Sequence, residues 1–106
     1  MTTKVGEHIT LDILGTKKEY DPAFYEKLVY KIAKIAKVTV LEITKYKFEP
    51  QGFTLVALLA ESHISFHTFP EKGIISFDFF TCAKVSPLVA LDAVSYTHLR
   101  AHETGY

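Results

Sequence analysis

The chain has a single cysteine, Cys82, no tryptophan, four prolines and no block of like charge among its 106 residues. A lone cysteine cannot close an internal disulfide, so this thiol is either buried filler or a reactive group. Acidic side chains balance basic ones at twelve each, which removes the electrostatic footprint of a nucleic-acid or membrane-surface binder and leaves a small molecule as the natural partner. No uninterrupted apolar run reaches the length of a membrane span, and the opening MTTKVGEH carries no stretch of signal-peptide length. The expectation is a soluble, cytoplasmic protein of one small domain, whose limited core would gain from an oligomer contact.

Residues 5–14 set Ile9, Leu11 and Ile13 against His8, Thr10 and Asp12, the alternation of a half-buried strand. Asp21 followed by Pro22 predicts a helix start, with Asp as cap acceptor and Pro where a missing N–H costs nothing. Phe24, Leu28, Ile32 and Ile35, joined by Tyr25, Val29 and Ala36, predict the buried face of that helix, and Glu26, Lys27, Lys31 and Lys34 its outer face. Residues 38–48 are rich in β-branched and aromatic side chains and predict a second strand that ends at Pro50 and Gly52. The nearly continuous apolar run 53–60 suits a central strand buried on both faces or at a subunit contact. Residues 64–68 and 74–80 predict two more strands joined through Pro70 and Gly73, and Ser86 with Pro87 opens a second helix reaching about residue 93. Helices at the two ends of a run of consecutive strands predict an α+β two-layer sandwich: a mostly antiparallel sheet with helices on one face.

Residues 94–104, VSYTHLRAHET, resemble a translated sequencing adapter: the reverse complement of a transposase mosaic end reads VSYTHL in one frame and its adapter continues RAHET. Every lysine lies before this stretch, and the only arginine, Arg100, lies within it. The expected division is a domain over 1–93, C-terminally truncated, and a non-native adapter-derived tail over 94–106. That origin removes His98 and His102, four residues apart, from the metal-binding candidates, and no metal is expected.

Ser62 follows an acidic residue at a strand end, where a hydroxyl most often caps a turn. If the strands pair as predicted, His63, His67 and Thr54 bring imidazoles and a hydroxyl within its reach, so that a base and hydrogen-bond donors share one site. Taken singly, these residues have ordinary structural uses: His67 behind Phe66 as a hydrogen-bonded core histidine, Cys82 in FFTCA as a buried thiol, Glu71 in PEKG as a solvated loop charge, Phe48 as core.

The run ESHISFHTFPE, from Glu61 to Glu71, followed by FDFFTCA ending in Cys82 and Ala83, resembles the self-processing segment of the short prokaryotic S-adenosylmethionine decarboxylases. The resemblance covers residues 5 to about 90, and its specific part is 61–82. It implies that Ser62 attacks the carbonyl of Glu61 to give an ester, that β-elimination opens the ester to dehydroalanine, and that hydrolysis leaves a pyruvoyl group as the cofactor, with the chain in two pieces. By the same resemblance Thr54 and His67 assist processing, the threonine standing where the family usually has serine. Decarboxylation then runs through a Schiff base between the pyruvoyl group and the substrate amine, with Cys82 returning a proton to the α-carbon. Glu71 holds the ribose hydroxyls of S-adenosylmethionine and Phe48 stacks on its adenine. Ala83 replaces a usual glycine, and Phe69 a frequent tryptophan. The implied assembly is a homodimer of processed protomers that bring their sheets together, and the implied product is the aminopropyl donor of spermidine and polyamine biosynthesis. A further family strand, expected to follow the second helix, is absent by this reading, which would expose a sheet edge. Three alternatives stand beside it: an arginine decarboxylase of the same pyruvoyl chemistry, a non-catalytic regulatory partner subunit, and a small structural or interaction domain.

Overall fold

A computed structural model describes residues 5–15, 21–82, 86–95 and 103–105. The expected Gly-to-Ala departure at Ala83 and the tail residues His98, Arg100 and His102 lie outside the described residues. Strands β1 (Glu7–Leu14), β2 (Val40–Lys47), β3 (Phe53–Leu59), β4 (Ser62–Phe69), β5 (Ile74–Thr81) and β6 (Glu103–Gly105) form one sheet in the order β2-β3-β4-β5-β1-β6. Every pairing is antiparallel. Helices α1 (Pro22–Ala36) and α2 (Val89–Ser95) supply the second layer, so the architecture is the α+β two-layer sandwich the sequence predicts.

Helix α1 begins as expected: the Asp21 carboxylate accepts from the Phe24 backbone N–H at 3.1 Å, and Pro22 occupies the first turn. It ends on Lys37, in the left-handed region at φ 60°, with the Val38 N–H returning to the Ala33 carbonyl at 2.9 Å. Its buried residues are Tyr25, Leu28, Val29, Ile32, Ala33 and Ala36. Ile35, predicted on that face, sits at one edge of the buried stripe and is 40% exposed, while Ala33 at the other edge is buried.

Under α1 lie Leu11 and Ile13 of β1, Phe53, Leu55, Ala57 and Leu59 of β3, Ile64 and Phe66 of β4, and Ile75, Phe77 and Phe79 of β5, the alternate residues of four strands. Tyr25 packs edge-on to Phe53 at 5.0 Å and tilted on Phe66 at 5.1 Å, and Phe66 continues to Phe77 at 5.0 Å. Such aromatic pairs add roughly 1 kcal/mol each beyond their buried area. In β2 a bulge between Val40 and Glu42 shifts the alternation. Beyond it Ile43 packs on the core, while Lys45 reaches Glu26 of α1 at 2.6 Å.

The opposite face of the sheet carries no helix among the described residues. Val56 and Leu58 of β3 are 41% and 51% exposed there, so the apolar run 53–60 is buried on one face only within a single chain. The second helix runs past its expected end: Val94 and Ser95 belong to α2, and Val94 is buried in the core. Residues 103–105, which follow α2, pair with Asp12–Leu14, so β1 is partly covered where loss of a further strand was expected to expose a sheet edge.

Candidate functional site

The connection from β3 to β4 is the pair Ala60 and Glu61, flanked by the facing residues Leu59 and Ser62. The Ala60 N–H donates to the Thr39 carbonyl at 3.0 Å, which ties this turn to the entry of β2. Glu61 adopts φ 58°. For a residue with a side chain, that left-handed conformation costs about 1 kcal/mol or more, and here it sits directly before the serine.

Ser62 is 7% exposed, opposite Thr81 of β5, and its hydroxyl donates to Thr81 Oγ1 at 3.0 Å. Cys82 follows Thr81 at the end of β5 and is half-buried with a free thiol. The strand pairing therefore gathers Glu61, Ser62 and Cys82 at one end of the sheet.

Four other predicted residues meet at the opposite end. Thr54 faces His67 across β3 and β4, and Thr54 Oγ1 lies 2.9 Å from His67 Nδ1. Beside this pair a cavity of about 390 Å³ is lined by Phe48, Gln51, Thr54, His67, Phe69 and Glu71 among others. It is a mixed surface, with aromatic rings, one imidazole and one carboxylate. Phe48 and Glu71, both exposed, come to it from the two loops flanking the Thr54–His67 pair. Gly52, at φ 89°, lets the chain turn back so that the Phe48 N–H bonds the Gly52 carbonyl at 2.8 Å.

Thr54 and His67 are thus not within reach of Ser62 in one chain, contrary to expectation. The hairpin register places them five residue pairs from Leu59 and Ser62, about 16 Å along the strand at the usual rise. The faces differ too: Ser62 shares the side of Ile64 and Phe66, towards the helices, and His67 the opposite side. His63 does lie beside the serine, on the helix-free face, stacked on Phe80 at 5.8 Å.

Sequence reasoning passed over Thr81, which accepts the Ser62 hydroxyl, and over His8 and Asp78. His8 Nε2 lies 3.1 Å from Asp78 Oδ2, and His63 Nε2 lies 3.8 Å from the same oxygen. A lone carboxylate in the apolar strand IISFDFFT was the available signal for Asp78.

Residues 7–104 match the profile of the S-adenosylmethionine decarboxylase family. An S-adenosylmethionine decarboxylase proenzyme of Brevibacillus brevis is 38% identical over 90 residues, covering 82% of this chain and 68% of the relative. One from a Synechococcus species is 46% identical over 80 residues, covering 74% of this chain and 62% of the relative. The chain therefore spans about two thirds of the length of these relatives. A crystal structure of the adenosylmethionine decarboxylase from Aquifex aeolicus superposes with a TM-score of 0.83 at 32% identity, covering 98% of this chain and 88% of that one.

Proposed function

The chain belongs to the S-adenosylmethionine decarboxylase family, and from that premise we propose that it is a proenzyme that cuts itself between Glu61 and Ser62 and then decarboxylates S-adenosylmethionine to the aminopropyl donor of polyamine synthesis. The observation that carries this reading is the junction itself: a left-handed Glu61 joined to a buried serine whose hydroxyl is held by Thr81. The strain at Glu61 is relieved when the bond to Ser62 is broken, which favours cleavage at this peptide over its neighbours. These residues fit a pyruvoyl group made in place from Ser62, which would supply an electron sink for the carbon–carbon bond that loses carbon dioxide. Cys82, beside Thr81, holds the proton that returns to the substrate α-carbon. Phe48 offers an aromatic face to a flat adenine and a sulfonium charge, and the Glu71 carboxylate can accept from two ribose hydroxyls. The names of the relatives favour this substrate over arginine. Retention of Ser62, His67 and Cys82 speaks against a purely regulatory subunit.

The working unit is a homodimer in this proposal. The Ser62 end and the Thr54–His67 end lie about 16 Å apart in one chain, and both flank a helix-free face bearing Val56 and Leu58. Two copies placed face to face about a two-fold axis bring the backbone at one chain's Ser62, whose side chain points to the helices, together with Cys82 to its partner's Thr54, His67 and cavity. There the imidazole can take the serine α-proton during elimination, and Thr54, hydrogen-bonded to it, fixes the ring.

Mass spectrometry tests the reading. The unaltered chain is expected as two fragments, 1–61 and a pyruvoyl-started 62–106, and Ser62→Ala as one species of 12.0 kDa. An unaltered chain that stays whole, or a Ser62→Ala chain that splits, overturns self-processing. Carbon dioxide release from S-adenosylmethionine and from arginine then separates the two substrates.

A further inference from the structure

On the helix-free face, one step along the strands from Ser62, three side chains that the decarboxylase reading leaves without a task converge. His8 of β1, His63 of β4 and Asp78 of β5 each offer one ligand atom, and these atoms all lie within 4.8 Å of one another. The pairing that sets them there is explicit: His8 and His63 both face Phe80, and Asp78 is the next residue of β5 on that face. The geometry points to a site for a divalent transition-metal ion, Zn²⁺ in the first instance, held by His8 Nε2, His63 Nε2 and Asp78 Oδ2.

Distances support that ligand set. Two donor atoms on a tetrahedral zinc, each at about 2.05 Å from it, stand about 3.3 Å apart. The two Nε2-to-Oδ2 distances are 3.1 and 3.8 Å, so small side-chain rotations close the set. The surroundings hold each ligand in place. Ser65 Oγ donates to the other carboxylate oxygen, Asp78 Oδ1, at 2.5 Å, which leaves Oδ2 turned to the imidazoles. The Phe80 ring lies parallel to His63 and edge-on to His8. Two imidazoles with one carboxylate suit zinc and its neighbours, not the all-oxygen preference of Mg²⁺ or Ca²⁺. Three protein ligands leave a fourth position for water or another donor.

The inference stands apart from the decarboxylase reading, and so does its test. The full chain, freed of metal by chelation, is titrated with Zn²⁺ by calorimetry and with Co²⁺ by visible absorption. Saturable one-to-one binding is expected, with a tetrahedral Co²⁺ spectrum and no competition from excess Mg²⁺. His8→Ala, His63→Ala and Asp78→Asn should each weaken Zn²⁺ binding at least as much as Ser65→Ala, for which loss of the supporting hydrogen bond should cost about tenfold. His98→Ala with His102→Ala should leave binding intact. In the unaltered chain, Zn²⁺ should shift the imidazole resonances of His8 and His63 and spare His67, a readout that needs no variant to fold. Failure of the unaltered chain to bind, binding that survives loss of His8 and His63, or binding lost with the tail histidines overturns the site.

Discussion

Ser62 and Thr81 face each other across β4 and β5, both side chains buried, and the Ser62 O–H is directed to Thr81 Oγ1. A nucleophilic hydroxyl pinned in this way samples fewer rotamers, and its oxygen gains electron density from donating its proton. Thr81→Val keeps the β-branched shape and removes the acceptor. Such a hydrogen bond is worth about 1 kcal/mol, so cleavage at Glu61 should slow about fivefold, followed as loss of the intact chain on a denaturing gel. Thr81→Ser, which keeps the oxygen, should process nearly as the unaltered chain does. Equal cleavage rates for the Val and Ser variants would remove Thr81 from any positioning role.

Between β2 and β3 the chain turns through Gly52 at φ 89°, and a Cβ there would sit 2.9 Å from the Thr68 carbonyl of β4. The same β4 residue accepts the Phe53 N–H on its side-chain oxygen at 3.0 Å, so this turn is locked to the neighbouring strand. Gly52→Ala must therefore move backbone against backbone. Thermal unfolding should show a loss of about 1–3 kcal/mol. Because Phe48 and Gln51 line the cavity, the KM for substrate should rise more than kcat falls. This loop also marks how far the sequence could be read. Helix α1 was legible because its cap and its 3.6-residue period are local signals, and β1 and β5 were legible because one face of each is buried. Outward-facing Ile35 and the bulge after Val40 were not, because both depend on how closely the helix lies to the sheet, which includes the Lys45–Glu26 contact across layers. The residues of the site were legible by motif, and His67 lies five residues along the same strand from Ser62, but the position of Thr54 was not legible, because it follows from the hairpin register.

That register makes the assembly testable through the site. If Thr54 and His67 serve the serine of the other protomer, a chain lacking its own imidazole can be processed by a partner that supplies one. Ser62→Ala alone cannot be cut, and His67→Ala alone should be cut slowly, by about 10²-fold or more on the usual worth of a positioned base. Refolded together, the two variants form mixed dimers in which the His67→Ala chain keeps Ser62 and faces an intact Thr54–His67 pair. Cleavage should then return, confined to the His67→Ala chain, which a mass tag on either variant identifies. Half of the random dimers are mixed, so restoration should approach half of the His67→Ala chains. The exposed Val56 and Leu58 supply a control, since Leu58→Asp on both chains places like charges on the contact face and should abolish the rescue together with the dimer seen in sedimentation. A mixture that stays as uncut as its parts while remaining dimeric would place Thr54 and His67 outside the partner's site, and with it the face-to-face arrangement would fall.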